Sequence, residues 1–161
     1  MQKITPFLWF DKQAEEAASF YTSVFKDGKI THVSRYDAEG AKVSGQPEGT
    51  AMVVAFQING QDFTALNGGP QFKFNEAISF MISCEDQEEV DYYWEKLSAV
   101  PESEQCGWLK DKYGLSWQVV PTAMGQLMSD PDPVKAQRVM HAMLQMKKII
   151  IADLQKAHDQ E

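Results

Sequence analysis

Apolar and polar positions alternate over residues 3–10, a run rich in Ile, Phe and Trp, and this period of two predicts a strand. The spacing then lengthens to a helical one. Ala14, Ala17, Ala18, Tyr21, Val24 and Phe25 fall on one face, Asp11 reads as the cap, and Glu15 and Glu16 suit the positive end of the helix dipole. Lys26-Asp27-Gly28 ends the helix, and alternation around Ile30, His32, Ser34 and Tyr36 predicts a second strand over 29–36. The polar stretch 37–50, with three Gly and one Pro, reads as a long loop. Strands over 51–58 and 62–67 meet at Asn59-Gly60, a strong hairpin signal. The order is β-α-β-β-β.

The pattern then repeats. A strand over 77–83, a helix over about 86–98 capped by Asp86, and a hairpin of 107–111 with 115–120 around Tyr113-Gly114 follow in the same order. Thr5, Glu15 and Phe20 each stand 73 residues before Ile78, Glu88 and Tyr93, whereas Gly60 stands 54 before Gly114. The second copy is therefore about 19 residues shorter, chiefly in the arm and the flanks of one strand. Two copies predict one pseudo-symmetric domain over 1–161, and a solenoid would need three or more. The modules occupy 3–67 and 77–121, with a helical extension over 122–161. In that extension Pro133 opens a helix whose Met-rich face reads as core or dimer contact.

Composition narrows the partners. A net charge of −8 disfavours nucleic acid and anionic membrane, and no Lys/Arg cluster offsets it. No apolar run approaches the roughly 18–20 residues that span a bilayer, and the start of the chain lacks a leader pattern. Cys84 and Cys106 have no metal-motif spacing and need no disulfide, so a reduced, cytoplasmic protein is expected. Cys106 has no histidine near it in sequence to activate it.

Several ordered motifs carry a resemblance. They are Ile4-Thr5-Pro6-Phe7-Leu8-Trp9-Phe10-Asp11, Ala14-Glu15-Glu16-Ala17, Phe20-Tyr21 and Leu66-Asn67-Gly68-Gly69 in the first half. Asp86-Gln87-Glu88-Glu89-Val90-Asp91, Trp94-Glu95-Lys96-Leu97, Tyr113-Gly114-Leu115-Ser116-Trp117-Gln118 and the tail Ala136-Gln137-Arg138-Val139-Met140 continue it. Together they resemble the PhnB-like, 3-demethylubiquinone methyltransferase-like branch of the vicinal oxygen chelate superfamily, which also holds glyoxalase I and the bleomycin-resistance proteins. The resemblance implies an α+β fold with two β-α-β-β-β modules forming a cupped mixed sheet, helices outside, a ligand cavity inside and a homodimer. In metal-dependent relatives each module gives one ligand from its first strand and one from its last. Carried over at the offsets above, these are Thr5, Thr64, Ile78 and Gln118, a set too poor in donors to hold a divalent ion. No metal and no cofactor are therefore expected. The methyltransferase name finds no support in a nucleoside-binding motif, because Gly68-Gly69-Pro70 opens no helix pattern.

A small organic ligand remains as the expected partner. If Thr5 faces the cavity, period-two geometry sends Phe7 and Trp9 the same way. Ile78, Phe80, Thr64, Ser116 and Gln118 join them, with Asn67 and Arg35 at the rim. The acidic balance favours a neutral or cationic ligand. Metal-free binding, with sequestration as one use, is the leading expectation. An enzyme with an atypical or absent metal site, and an interaction module using the Met-rich tail, are the alternatives.

Overall fold

Residues 1–160, which the computed structural model describes, fall into two units, Met1–Phe74 and Asn75–Glu161. The first contains β1 (Phe7–Phe10), α1 (Ala14–Val24), β2 (Lys29–Arg35), α2 (Ala38–Ser44), β3 (Ala51–Ile58) and β4 (Gln61–Asn67). Its sheet has the order β1-β4-β3-β2, with β1 parallel to β4 and the other pairs antiparallel. The alternation seen in the sequence decides which face is closed. Leu8, Phe10, Val54, Phe56, Phe63 and Ala65 are buried on the side of α1, whose Ala14, Ala17, Ala18, Tyr21 and Val24 are buried too. The Tyr21 ring stacks 6.1 Å from that of Phe56. Burying each large apolar side chain is worth about 1.5–3 kcal/mol, so this face anchors the unit. At the β3–β4 turn Asn59 and Gly60 have φ of 52° and 73°, the two positive angles that a type I′ hairpin requires.

The arm at 37–50 is not all loop. Asp37 accepts from Gly40 N at 2.7 Å and caps α2, which ends on Gly45 in the left-handed region. None of its residues is buried, so it has no apolar stripe by which a sequence pattern could reveal it.

The second unit contains β5 (Ser79–Cys84), α3 (Gln87–Leu97), β6 (Trp108–Lys110) and β7 (Ser116–Pro121), then α4 (Thr122–Met128), α5 (Pro133–Leu144) and α6 (Ile151–Asp159). The sheet order is β5-β7-β6, again with its first strand parallel to its last. The shortening has removed the counterpart of β2 outright, and a 3-10 turn at Pro101–Ser103 stands between α3 and β6. The fold is α+β with two mixed sheets, of four and three strands.

The extension builds a small core of its own. Val139, Ile149 and Leu154 are buried together, with Met124, Leu127, Met128, Met143 and Met146 packed around them. It is tied to the rest of its unit by main chain: Cys106 N donates to Met146 O and Gly107 N to Lys147 O, each at 2.8 Å. Gln87 clamps it further, donating to Ile149 O at 3.0 Å and accepting from Ile151 N at 2.8 Å. At its far end His158 lies between Asp130 and Asp159, 2.8 Å from each.

The two units do not share one offset. α1 and α3 are related by 73 positions, Ala14 to Gln87 and Val24 to Leu97. The first strands, β1 and β5, are related by 74: Phe7 pairs with Thr64 and Met81 with Gln118, while the buried Leu8 and Phe10 correspond to Ile82 and the buried Cys84. The cause is local. Three residues, 11–13, join β1 to α1, and only two, 85–86, join β5 to α3.

Candidate functional site

Each sheet has one face packed by helix and one that is not. In the first unit the open face carries two cross-strand rows. Phe7, Thr64, Ala55 and His32 form one, and Trp9, Leu66, Val53 and Ser34 the other. Phe7 is 59% exposed, a large aromatic ring offered to whatever meets this face. Trp9 is more constrained. Its Nε1–H donates to Gly69 O at 2.9 Å, and Phe72 meets its ring edge-on at 4.9 Å. Gly68 makes room for it, because a Cβ there would lie 2.3 Å from the indole. The Gly-Gly pair thus serves an aromatic side chain on the open face.

Thr5, Phe7, Trp9 and Thr64 were expected in one cavity, and the register sets Phe7, Trp9 and Thr64 on one face, with the exposed Thr5 just before β1. Asn67 is a correction. It is 1% exposed and points to the helix side, where its Oδ1 accepts from Ala14 N at 2.8 Å and its Nδ2 donates to Ala51 O at 2.8 Å. It caps α1 in place of Asp11, and its carbonyl accepts the Tyr36 hydroxyl at 2.6 Å. A residue with its groups so engaged is part of the scaffold. Arg35, expected at the rim, is paired with Glu15 at 3.0 Å.

In the second unit the offset of 74 changes the list. Phe80 lies on the helix side with Trp117, ring centroids 5.7 Å apart, and not on the face of Ser116 and Gln118. A one-residue slip sends every side chain of a strand to the opposite face, which is why the offset of 73 misplaced it. Ile78 stands outside the strand and is 69% exposed. The open face instead carries the row Lys110–Ser116–Ser79 and, beside it, Trp108–Gln118–Met81. Gln118 Nε2 donates to Ser79 Oγ at 2.9 Å. Lys110 pairs with Glu76, whose carboxyl is held below its ordinary range by that hydrogen bond and charge. Ser116 Oγ is buried and has no hydrogen-bond partner among the described residues.

Two further groups are structural. Asp111, 1% exposed, accepts from Tyr113 N, Leu115 N and Trp117 Nε1 at 2.9–3.0 Å and fixes the β6–β7 turn. Tyr113-Gly114 signalled the turn but not the buried carboxylate. Burial, with Glu89 and Asp86 nearby, pushes the Cys84 thiol up to about 12, so it is no nucleophile at neutral pH.

Comparison with known proteins gives these faces a lineage. The model of the family described as 3-demethylubiquinone-9 3-methyltransferase matches residues 2–120. The chain belongs to this family. A PhnB protein from Bacillus cereus, whose structure carries the same methyltransferase description, is 40% identical, over 74% of this chain and 99% of that one, with a TM-score of 0.63. Protein PA1353 from Pseudomonas aeruginosa shares the fold at 17% identity, over 75% and 98% of the two chains, with a TM-score of 0.55. A glyoxylase/bleomycin resistance protein/dioxygenase domain from Frankia sp. EAN1pec lies further off, at 14% identity over 75% and 92%, with a TM-score of 0.48. No curated protein matches the chain. The PhnB-like branch expected from the motifs is the family found, and the family match ends before α4. No helix among the described residues is long and apolar enough to cross a membrane.

Proposed function

We propose that this chain binds a small organic molecule on the open faces of its sheets, without a resident metal, and holds the molecule without transforming it, as a homodimer. The observation that carries the reading is the uncovered row of Phe7 and Thr64, with the pinned Trp9 beside it. Aromatic faces next to isolated hydroxyls suit stacking and one or two hydrogen bonds to an organic ligand.

The donors at the superfamily's metal positions are poor ones. With the offset corrected, the four ligand positions carried over by resemblance are Thr5, Thr64, Ser79 and Gln118. Three hydroxyls and an amide offer neither the carboxylate nor the imidazole that divalent ions select, and the Ser79 hydroxyl already accepts from Gln118 Nε2. Among the described residues no three His, Cys, Asp or Glu come together as a metal site. These residues do not fit the ion. The family's methyltransferase name also lacks its usual cofactor cradle, because the glycine pair serves Trp9 and the segment 70–78 that follows contains no helix to complete a glycine-rich strand-to-helix turn. The alternative, a superfamily enzyme with an atypical or absent metal, would have to find its catalytic donors elsewhere.

A native mass spectrum of protein purified without chelators tests the reading. A dimer free of stoichiometric metal, or carrying an organic mass, supports it. A stoichiometric divalent ion overturns it and makes Gln118→Ala and Glu76→Gln the first variants to examine.

A further inference from the structure

The second unit's open face is asymmetric in a way that specifies what it recognises. One row across its three strands is Lys110–Ser116–Ser79, and the neighbouring row is Trp108–Gln118–Met81. Directly opposed side chains on one face stand about 5 Å apart. A cation and two hydroxyls thus line up across about 10 Å, a span that the long Lys110 side chain can shorten, with Ser116, 1% exposed, in the middle and, beside them, an indole and a thioether that is 61% exposed at Met81.

The hydrogen-bond inventory says which role each hydroxyl has left. Ser79 Oγ accepts from Gln118 Nε2, so its own proton remains to be donated. Ser116 Oγ is buried and has no partner among the described residues, a condition that native proteins seldom leave unmet. Lys110 already holds a carboxylate, that of Glu76, whose side chain is 60% exposed at the start of the unit. Three donors therefore share one row, and the carboxylate seated on Lys110 comes from the protein's own surface. An exposed carboxylate such as that of Glu76 can swing into water and leave Lys110 to another carboxylate.

We propose that Lys110, Ser116 and Ser79 form the head of the ligand site, taking the carboxylate of a small organic acid whose apolar or aromatic body lies over Trp108 and Met81, with Glu76 as a built-in competitor for Lys110. The inference rests on the binding reading above and deepens it. It replaces the neutral or cationic ligand expected from the acidic chain as a whole, because charges more than about 8–10 Å away are screened at physiological salt while Lys110 is in contact. Two O–H donors and an ammonium match the two oxygens of a carboxylate, and charge-assisted bonds of this kind are the stronger ones.

The test uses two probes of one shape, benzoate and its neutral counterpart benzamide, titrated into the full chain while backbone amide chemical shifts are followed. Benzoate should bind about tenfold more tightly than benzamide, the factor one charge-assisted hydrogen bond supplies. Its shifts should centre on Ser79, Lys110 and Ser116. Lys110→Met should bring benzoate down to the level of benzamide, and Ser116→Ala should weaken benzoate alone. Glu76→Gln should tighten benzoate, and because Glu76 is exposed this variant decides the matter should Lys110→Met fail to fold. Equal affinity for the two probes on the open faces overturns the carboxylate site and leaves ligand binding standing. No shift on either open face from either probe removes both.

Discussion

The two units solve the same problem differently at the point where a strand hands over to a helix. In the first, three residues join β1 to α1, and the helix is capped from a distance by Asn67 of β4. In the second, two residues join β5 to α3, and Asp86 caps its own helix by accepting from Glu89 N at 2.9 Å. The position corresponding to Asn67 is then Pro121, the last residue of β7, and α4 follows it. One deleted residue thus separates a helix offset of 73 from a strand offset of 74, and with it the open face changes character. Phe7 and Trp9 make it aromatic in the first unit, while Ser79, Ser116 and Lys110 make it polar in the second. A repeat is conserved as packing, and chemistry follows from which face each residue is given.

The difference can be broken from the first unit outward. Asn67→Ala should have the largest effect, since it orphans the buried Ala14 N and Ala51 O together. A loss of about 2–4 kcal/mol in urea unfolding is expected, with α1 loosened first. Gly68→Ala should follow. A methyl group 2.3 Å from the indole forces Trp9 off its place, at a cost of about 1–3 kcal/mol and with a changed tryptophan fluorescence spectrum. Asp86→Ala removes only a local cap and should cost about 1 kcal/mol. An Asp86→Ala loss equal to that of Asn67→Ala would mean that the two caps are equivalent after all.

The smallest effect belongs to the tail. Hydrogen bonds donated to Asp159 and Asp130 raise His158 above its ordinary value of 6.5. A raised pKa contributes stability that is complete below the unfolded value and is lost as pH rises through the folded one. The two aspartates are held below their ordinary range, Asp130 first by Asp132 N and Asp159 by His158, so their share is lost in acid. Protection of α6 amides from hydrogen exchange should therefore decline as pH rises above 6.5 and through the raised folded value. His158→Gln should flatten that decline while leaving exchange in α1 unchanged.

Much of this was legible from the chain. Period-two and helical spacing located all seven strands and the helices α1, α3 and α5, and Asn59-Gly60 fixed one hairpin by the angles that only such residues adopt readily. The short helix α2 escaped because none of its residues is buried and it carries no apolar stripe, and α4 because its seven residues hold only Met124, Leu127 and Met128, a stripe too short to set a period. Of the candidate residues, the shared face of some was legible. Phe7, Trp9 and Thr64 share a face because alternation within one module is local information. Phe80 was misassigned because its face depends on the length of a connection, and aligned helices conceal a residue lost just before them. Asn67 was misread for another reason. A polar residue at a strand end looks the same in sequence whether it meets a ligand or, as here, a helix N-terminus 53 residues earlier.

The assignment of faces in the second unit carries the whole account of the site, and a pair of adjacent substitutions tests it. Phe80→Glu and Met81→Glu, each unfolded in urea, exchange one residue on the helix side for its neighbour on the open side. The account predicts a loss of about 2–3 kcal/mol for Phe80→Glu and under about 0.5 kcal/mol for Met81→Glu. Equal losses, or a larger one at Met81, would contradict it and return the second strand to the offset of 73.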